Sequence, residues 1–192
     1  MRKLIDNYIT ASDSVKIGEF DDLTLLDFVA EQGEIMTEED APSDKKEGAA
    51  EAIENNIRRK MVEKVAVNPK YYEKMSTILD ELIQKRKQGV ISYKELLEEQ
   101  IKLAKNVEHP EQNEDYPESI RKSKALQALY DNTDGNEILA IKLHSAVLSS
   151  KMSGFRGDPI KENRIKKALF IILNDDSEVE RLFKIIEKQE EY

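Results

Sequence analysis

Cysteine is absent from this chain, which removes disulfides, thiol nucleophiles and thiolate metal sites together. Tryptophan is absent too, and aromatic residues make up only 6%. Seven glycines and five prolines in 192 residues are few for the many turns of a sheet protein and suit helices. Of the two histidines, His144 has no His, Asp or Glu at ligand spacing and reads as a partly buried structural residue. His109, before Pro110 in a polar stretch, reads as solvated. No apolar run approaches the length of a membrane span. The first residues, with Arg2, Lys3, Asp6 and Asn7, contain no apolar signal region. The expected setting is therefore cytoplasmic, with no membrane and no metal.

What the chain does have is charge and helical period. Charged residues reach 36% and hydrophobic residues 39%, enough to fill one real core. The net charge of −9 is unevenly placed. Between Glu19 and Glu54 stand 13 acidic and 2 basic residues, a net of −11, so the remainder carries +2. An overall acidic chain argues against nucleic acid, but a nearly balanced body with local cationic faces leaves it open.

Apolar periodicity predicts a short helix over Leu4, Ile5, Tyr8 and Ile9, and another after Asp22 that stops at Gly33. Glu34 to Glu47 has almost nothing to bury and reads as an exposed, mobile acidic loop. A helix from Ala49 carries Ile53, Ile57, Met61 and Val65 at a four-residue step, with Arg58 and Arg59 on its other side. Asn68-Pro69 opens the next helix, whose stripe includes Tyr71 and Tyr72. The two tyrosines have faces on which bases can stack, but their place on the apolar stripe favours the core. Gly89 stops that helix, and Ser92 with Glu95 forms a capping box for its neighbour. Pro117 opens a further helix, and Asp134 with Glu137 caps the one after it. No run alternates with period two for long enough to be a strand. The expected fold is an all-α irregular bundle of seven or eight helices. The expected division is an N-terminal helical segment (1–33), an acidic linker (34–48) and a C-terminal helical domain (49–192).

The last forty residues are the most sharply patterned. Asp158 followed by Pro159 is an N-cap with proline at the first helical position. Ile165, Ala168, Leu169, Ile172 and Leu173 then form a core stripe, and Ser177 with Glu180 is read as the capping box of a closing helix. Lys151, Arg156, Lys161, Arg164, Lys166 and Lys167 stand against only Asp158 and Glu162, a local net of +4. Beside a helix N-terminus, such a face suits DNA phosphates or a partner's carboxylates. The alternative is a solvated face completing a helix pair, with Phe155 as a plug and Gly157 serving the turn.

The aromatic-Arg-Gly turn Phe155-Arg156-Gly157, the helix segment Lys166-Lys167-Ala168-Leu169 and the closing run Glu178-Val179-Glu180-Arg181-Leu182-Phe183 stand in that order. Together they resemble the C-terminal end of the R subunit, the motor and restriction subunit, of type I restriction-modification enzymes. The stretches Asn68 to Met75 and Gly89 to Glu95 resemble the helical region of the same family. The likeness covers roughly Ala52 to Tyr192, and Phe155 stands where the family often has Trp. It implies a non-catalytic module that docks the R subunit onto the methyltransferase (M) subunit. A second reading is a sequence-independent clamp on the double-stranded DNA backbone.

The candidate DNA- or partner-binding residues are Arg58, Arg59, Arg156, Lys161, Arg164, Lys166 and Lys167; Phe155, Gly157, Asp158 and Pro159 form the structural turn. No catalytic residue and no cofactor is expected. The nearest approach to a phosphate-binding loop, Gly154 to Lys161, has the wrong spacing and no strand before it. The isolated chain should therefore show neither ATPase nor nuclease activity. Magnesium-dependent plasmid cleavage that stays at constant specific activity through repurification would overturn this expectation.

Overall fold

In a computed structural model, residues 24–113 and 115–192 are described. Among them are nine α-helices and no strand. The helices are α1 (Leu25–Thr37), α2 (Ser43–Lys64), α3 (Pro69–Lys87), α4 (Tyr93–Glu108), α5 (Glu118–Arg121), α6 (Lys124–Asp131), α7 (Glu137–Ser150), α8 (Pro159–Leu173) and α9 (Asp176–Glu187). The protein is thus the all-α bundle its composition implies. The helix expected over Leu4 to Ile9 lies outside the described residues.

Several helix starts follow the chemistry legible in the sequence. Asn68 accepts from the Tyr71 amide, Ser92 and Glu95 complete a reciprocal box, and Asp158 accepts from the amides of Ile160 and Lys161. Each satisfies donors that the first helical turn leaves orphaned. Two other caps differ. Asp134 and Gly135 both adopt positive φ in a tight turn, so Asn136 becomes the cap of α7. Asp175 caps α9 by accepting from Ser177 and Glu178, which places Ser177 inside the helix. The helix opened by Pro117 is split, because Ser123 caps a fresh start on the Leu126 amide.

The acidic segment is the main correction. Residues 34–48 do not form a loop: α1 runs to Thr37 and α2 already begins at Ser43, leaving only a short turn between them. Gly33 lies inside α1, where a Cβ would meet the Leu97 methyls at 2.9 Å, so it serves close packing against α4 and is no stop. Leu25, Phe28, Val29 and Met36 are buried, and α1 packs on α2 and α4 as part of the same core. The missing information was a partner far along the chain. Glu47, Glu51 and Glu54 share one face of α2 at i, i+4 and i+7, and all three converge on Arg86 of α3.

The Arg86 side chain is only 5% exposed. Its Nε donates to Glu54 Oε1 at 2.8 Å and its Nη2 to Glu54 Oε2 at 2.9 Å, a two-pronged contact with a carboxylate that is itself buried. Nη1 reaches Glu47 at 2.8 Å. The fork geometry of arginine makes this possible, and lysine has no equivalent.

The start of α3 meets the end of α6 through buried polar groups. Asn68 Nδ2 and Tyr116 Oη both donate to Asp131 Oδ2 at 2.6 Å, and Asn132 Nδ2 donates to Asn68 Oδ1 at 2.8 Å. Burial raises the Asp131 carboxyl above its ordinary value despite these donors. Tyr71 and Tyr72 are buried here, as their stripe predicted, and desolvation pushes the Tyr72 hydroxyl up to about 12. Gln100 on α4 is fully buried, and neither of its amide atoms finds a partner among the described residues.

Breaking the buried pair from one side leaves an uncompensated charge, a loss of about 3–5 kcal/mol. Arg86→Ala should therefore lower the midpoint of urea unfolding strongly, while Arg86→Met with Glu54→Leu should recover most of the loss. A single variant as stable as the parent would contradict the anchoring role of Arg86.

Candidate interaction surface

The turn before α8 is built from the inside outward. Phe155 is 1% exposed and meets the Phe183 ring edge-on at 6.4 Å, so it plugs the space between the turn and α9. The Arg156 guanidinium lies over the Phe155 ring at 4.7 Å. Its Nε donates to the Glu187 carbonyl at 2.7 Å and its Nη2 to the Gln189 carbonyl. Those carbonyls lie at the C-terminal end of α9, where backbone acceptors are orphaned and the dipole favours a cation. Gly157 has φ 79°, a conformation a side chain would resist, and its amide donates to Glu162 at 2.7 Å. Backbone donors from Lys161 and Ile160 hold the Asp158 carboxyl below its ordinary value.

Most of the cations expected to form one binding face are occupied within the chain. Lys151 donates to the carbonyls of Glu191 and Tyr192, and Lys161 to those of Ser153 and Gly154. Lys166 bonds both Glu180 oxygens at 2.7 and 2.8 Å and sits over the Phe183 ring. Arg58 pairs with Asp80 at 2.6 Å, and Arg59 approaches Glu63 at 3.9 Å. Both arginines lie on α2, which packs on α1, α3 and α4, whereas Lys161 to Lys167 belong to α8, which packs on α7 and α9. Arg164 and Lys167 have no carboxylate partner among the described residues; Arg164 Nη1 donates to the Met152 sulfur at 3.7 Å.

What the sequence reading missed is apolar. Ile160 is 84% exposed, Ile171 83% and Phe170 39%. With Asn163, Arg164 and Lys167 they recur at three- and four-residue spacing, so α8 turns a mixed apolar and cationic stripe outward. The signal was present: α8 has more apolar residues than its core stripe uses, and only Ile165 and Leu169 are fully buried. Two open grooves run beside the stripe. One, of about 540 Å³, lies toward Ser149 and Ser150 of α7; the other, of about 550 Å³, lies toward Asp176 and Val179 of α9. Asn163, Lys167 and Ile171 border both.

Other places offer less. A cavity of about 280 Å³ lies between Tyr72, Lys64, Lys124 and Lys188, but Lys64 is held by the Val107 and Glu108 carbonyls. Glu191 there caps the start of α6 through the Lys124 amide and the Ser123 hydroxyl. His144 Nδ1 stands 2.7 Å from the Tyr192 hydroxyl, and burial lowers its pKa. Among the described residues no cluster of three or more His, Cys, Asp or Glu could hold a metal, and no helix is long and apolar enough to cross a membrane. Comparison with protein families, with curated proteins and with solved structures finds no match for this chain.

Removing charge-assisted bonds to two carbonyls costs about 1–3 kcal/mol, and for a chain of this size each kcal/mol shifts Tm by roughly 2–4 °C. Arg156→Ala should accordingly melt several degrees lower, with Arg156→Lys in between. Lys167→Ala, which removes no hydrogen bond or ion pair among the described residues, should melt with the parent. An unchanged Tm for Arg156→Ala would refute the capping role.

Proposed function

We propose that this protein is a non-catalytic docking module that binds a larger protein partner through the outward face of α8. The observation that carries this reading is the exposure of Ile160, Phe170 and Ile171 in one stripe with Arg164 and Lys167, which have no carboxylate partner among the described residues. Burying a large apolar side chain contributes about 1.5–3 kcal/mol, so three of them can anchor a complex whose rim is polar. The resemblance to the C-terminal end of the type I restriction R subunit supplies the partner: the methyltransferase M subunit, in the cytoplasm, with no cofactor required of this segment.

The alternative, a clamp on the DNA backbone, is less well supported by the same residues. Strong phosphate binding enlists about 6–10 contacts and weakens steeply with salt. Here four of the six basic residues between Lys151 and Lys167 are already bonded to carbonyls or to Glu180. Two cations without a carboxylate partner among the described residues, set among isoleucines, suit a protein surface better than a phosphate track.

Ile171→Asp places a charge on the most C-terminal residue of the face, between the two grooves, without touching the core. It should weaken M-subunit binding by at least about tenfold, roughly 1.4 kcal/mol, at unchanged Tm. Binding by the parent chain should vary little between low and high salt. Full M-subunit affinity in Ile171→Asp would remove the α8 face from the docking site, and duplex binding that collapses as salt rises, with no M-subunit binding, would replace docking with the clamp.

A further inference from the structure

We infer that the occupant of the α8 face is an acidic amphipathic helix presented by the partner; the inference rests on the docking reading and names the chemistry it requires. Shape is the first argument. From Ile160 to Ile171 the stripe spans about 16 Å at 1.5 Å per residue, a ridge of three turns with a groove on either side. A helix laid beside such a ridge sets its own side chains into a groove. The α7 side of the nearer groove is lined by Ser149 and Ser150, with Ala168 on α8. Such small side chains let a second backbone approach closely. No strand edge exists among the described residues to accept an extended peptide, so strand addition has no template here.

Charge is the second argument. Arg164 and Lys167 lie one turn apart on α8, without carboxylate partners among the described residues. A facing helix with carboxylates three or four residues apart meets both, while its apolar stripe covers Ile160, Phe170 and Ile171. A second copy of this chain fits less well, since two bodies of net charge −9 repel at long range.

The test uses the full chain, isotopically labelled, and three synthetic helical peptides sharing one leucine stripe. Their flanking positions carry glutamate, glutamine or lysine. The glutamate peptide should shift the amides of residues 160–171. It should bind at least about tenfold more tightly than its lysine twin, since reversing two ion pairs turns modest attractions into repulsions. Lys167→Glu, which leaves Arg164 as the one cation opposite a new anion, should abolish that preference, and Ile171→Asp should weaken every peptide, each at the parent's Tm. Equal binding of the glutamate and lysine peptides, shifts confined to other helices, or no response to the glutamate peptide overturns the inference. Peptide binding as expected with no capture of the M subunit would sink the assembly reading alone. M-subunit binding lost in Ile171→Asp, with no response to the glutamate peptide, would keep docking and remove the helix.

Discussion

The last turn of α9 ends in carbonyl groups that no helical amide can reach, and the Arg156 guanidinium supplies the donors. That contact ties the turn before α8 to the end of α9. With Phe155 packed beneath it and Gly157 bending away, the start of α8 is set by the chain's own C-terminal segment. The direction of α8, and hence which of its residues face water, depends on this clasp. An arginine that looks like a ligand for phosphate when read along the sequence is, in three dimensions, part of the frame that presents a neighbouring face.

A second arginine performs the corresponding task in the other half. Arg86 gathers Glu47, Glu51 and Glu54, so the acidic face of α2 is tied to α3. A buried arginine needs its charge compensated and its donors occupied. The buried Glu54 does both, and the two more exposed glutamates add to it. These three glutamates of α2 thus act as a packing device.

Legibility from sequence follows the range of the interaction that decides each feature. Helix starts at Asn68, Ser92 and Asp158, the stop at Gly89 and the burial of Tyr71 and Tyr72 depend on residues a few positions apart. These features were legible. Residues 34–48 were misread because the group that orders α2 stands some forty positions away, and Gly33 because its meaning lies in the Leu97 methyls. The basic residues of the candidate face were visible as charges, but which of them remained free was not. Their partners, Glu180 and the carbonyls of Ser153, Gly154, Glu187, Gln189, Glu191 and Tyr192, come from outside α8. The exposed isoleucines went unnoticed because an apolar residue in a helix is ordinarily assigned to the core, and only the packed bundle shows that α7 and α9 leave that side of α8 uncovered.

Two kinds of residue thus stand in one short region: Phe155, Arg156, Gly157 and Asp158 build the frame, while Ile160, Arg164, Lys167, Phe170 and Ile171 form the outward stripe proposed as the docking face. Hydrogen–deuterium exchange of this chain alone and in complex with the M subunit addresses that division most directly. The prediction is added protection over residues 159–173 and little change around Arg58 and Arg59 on α2. Complex formation that leaves α8 exchanging as in the free chain, with new protection elsewhere, would contradict it.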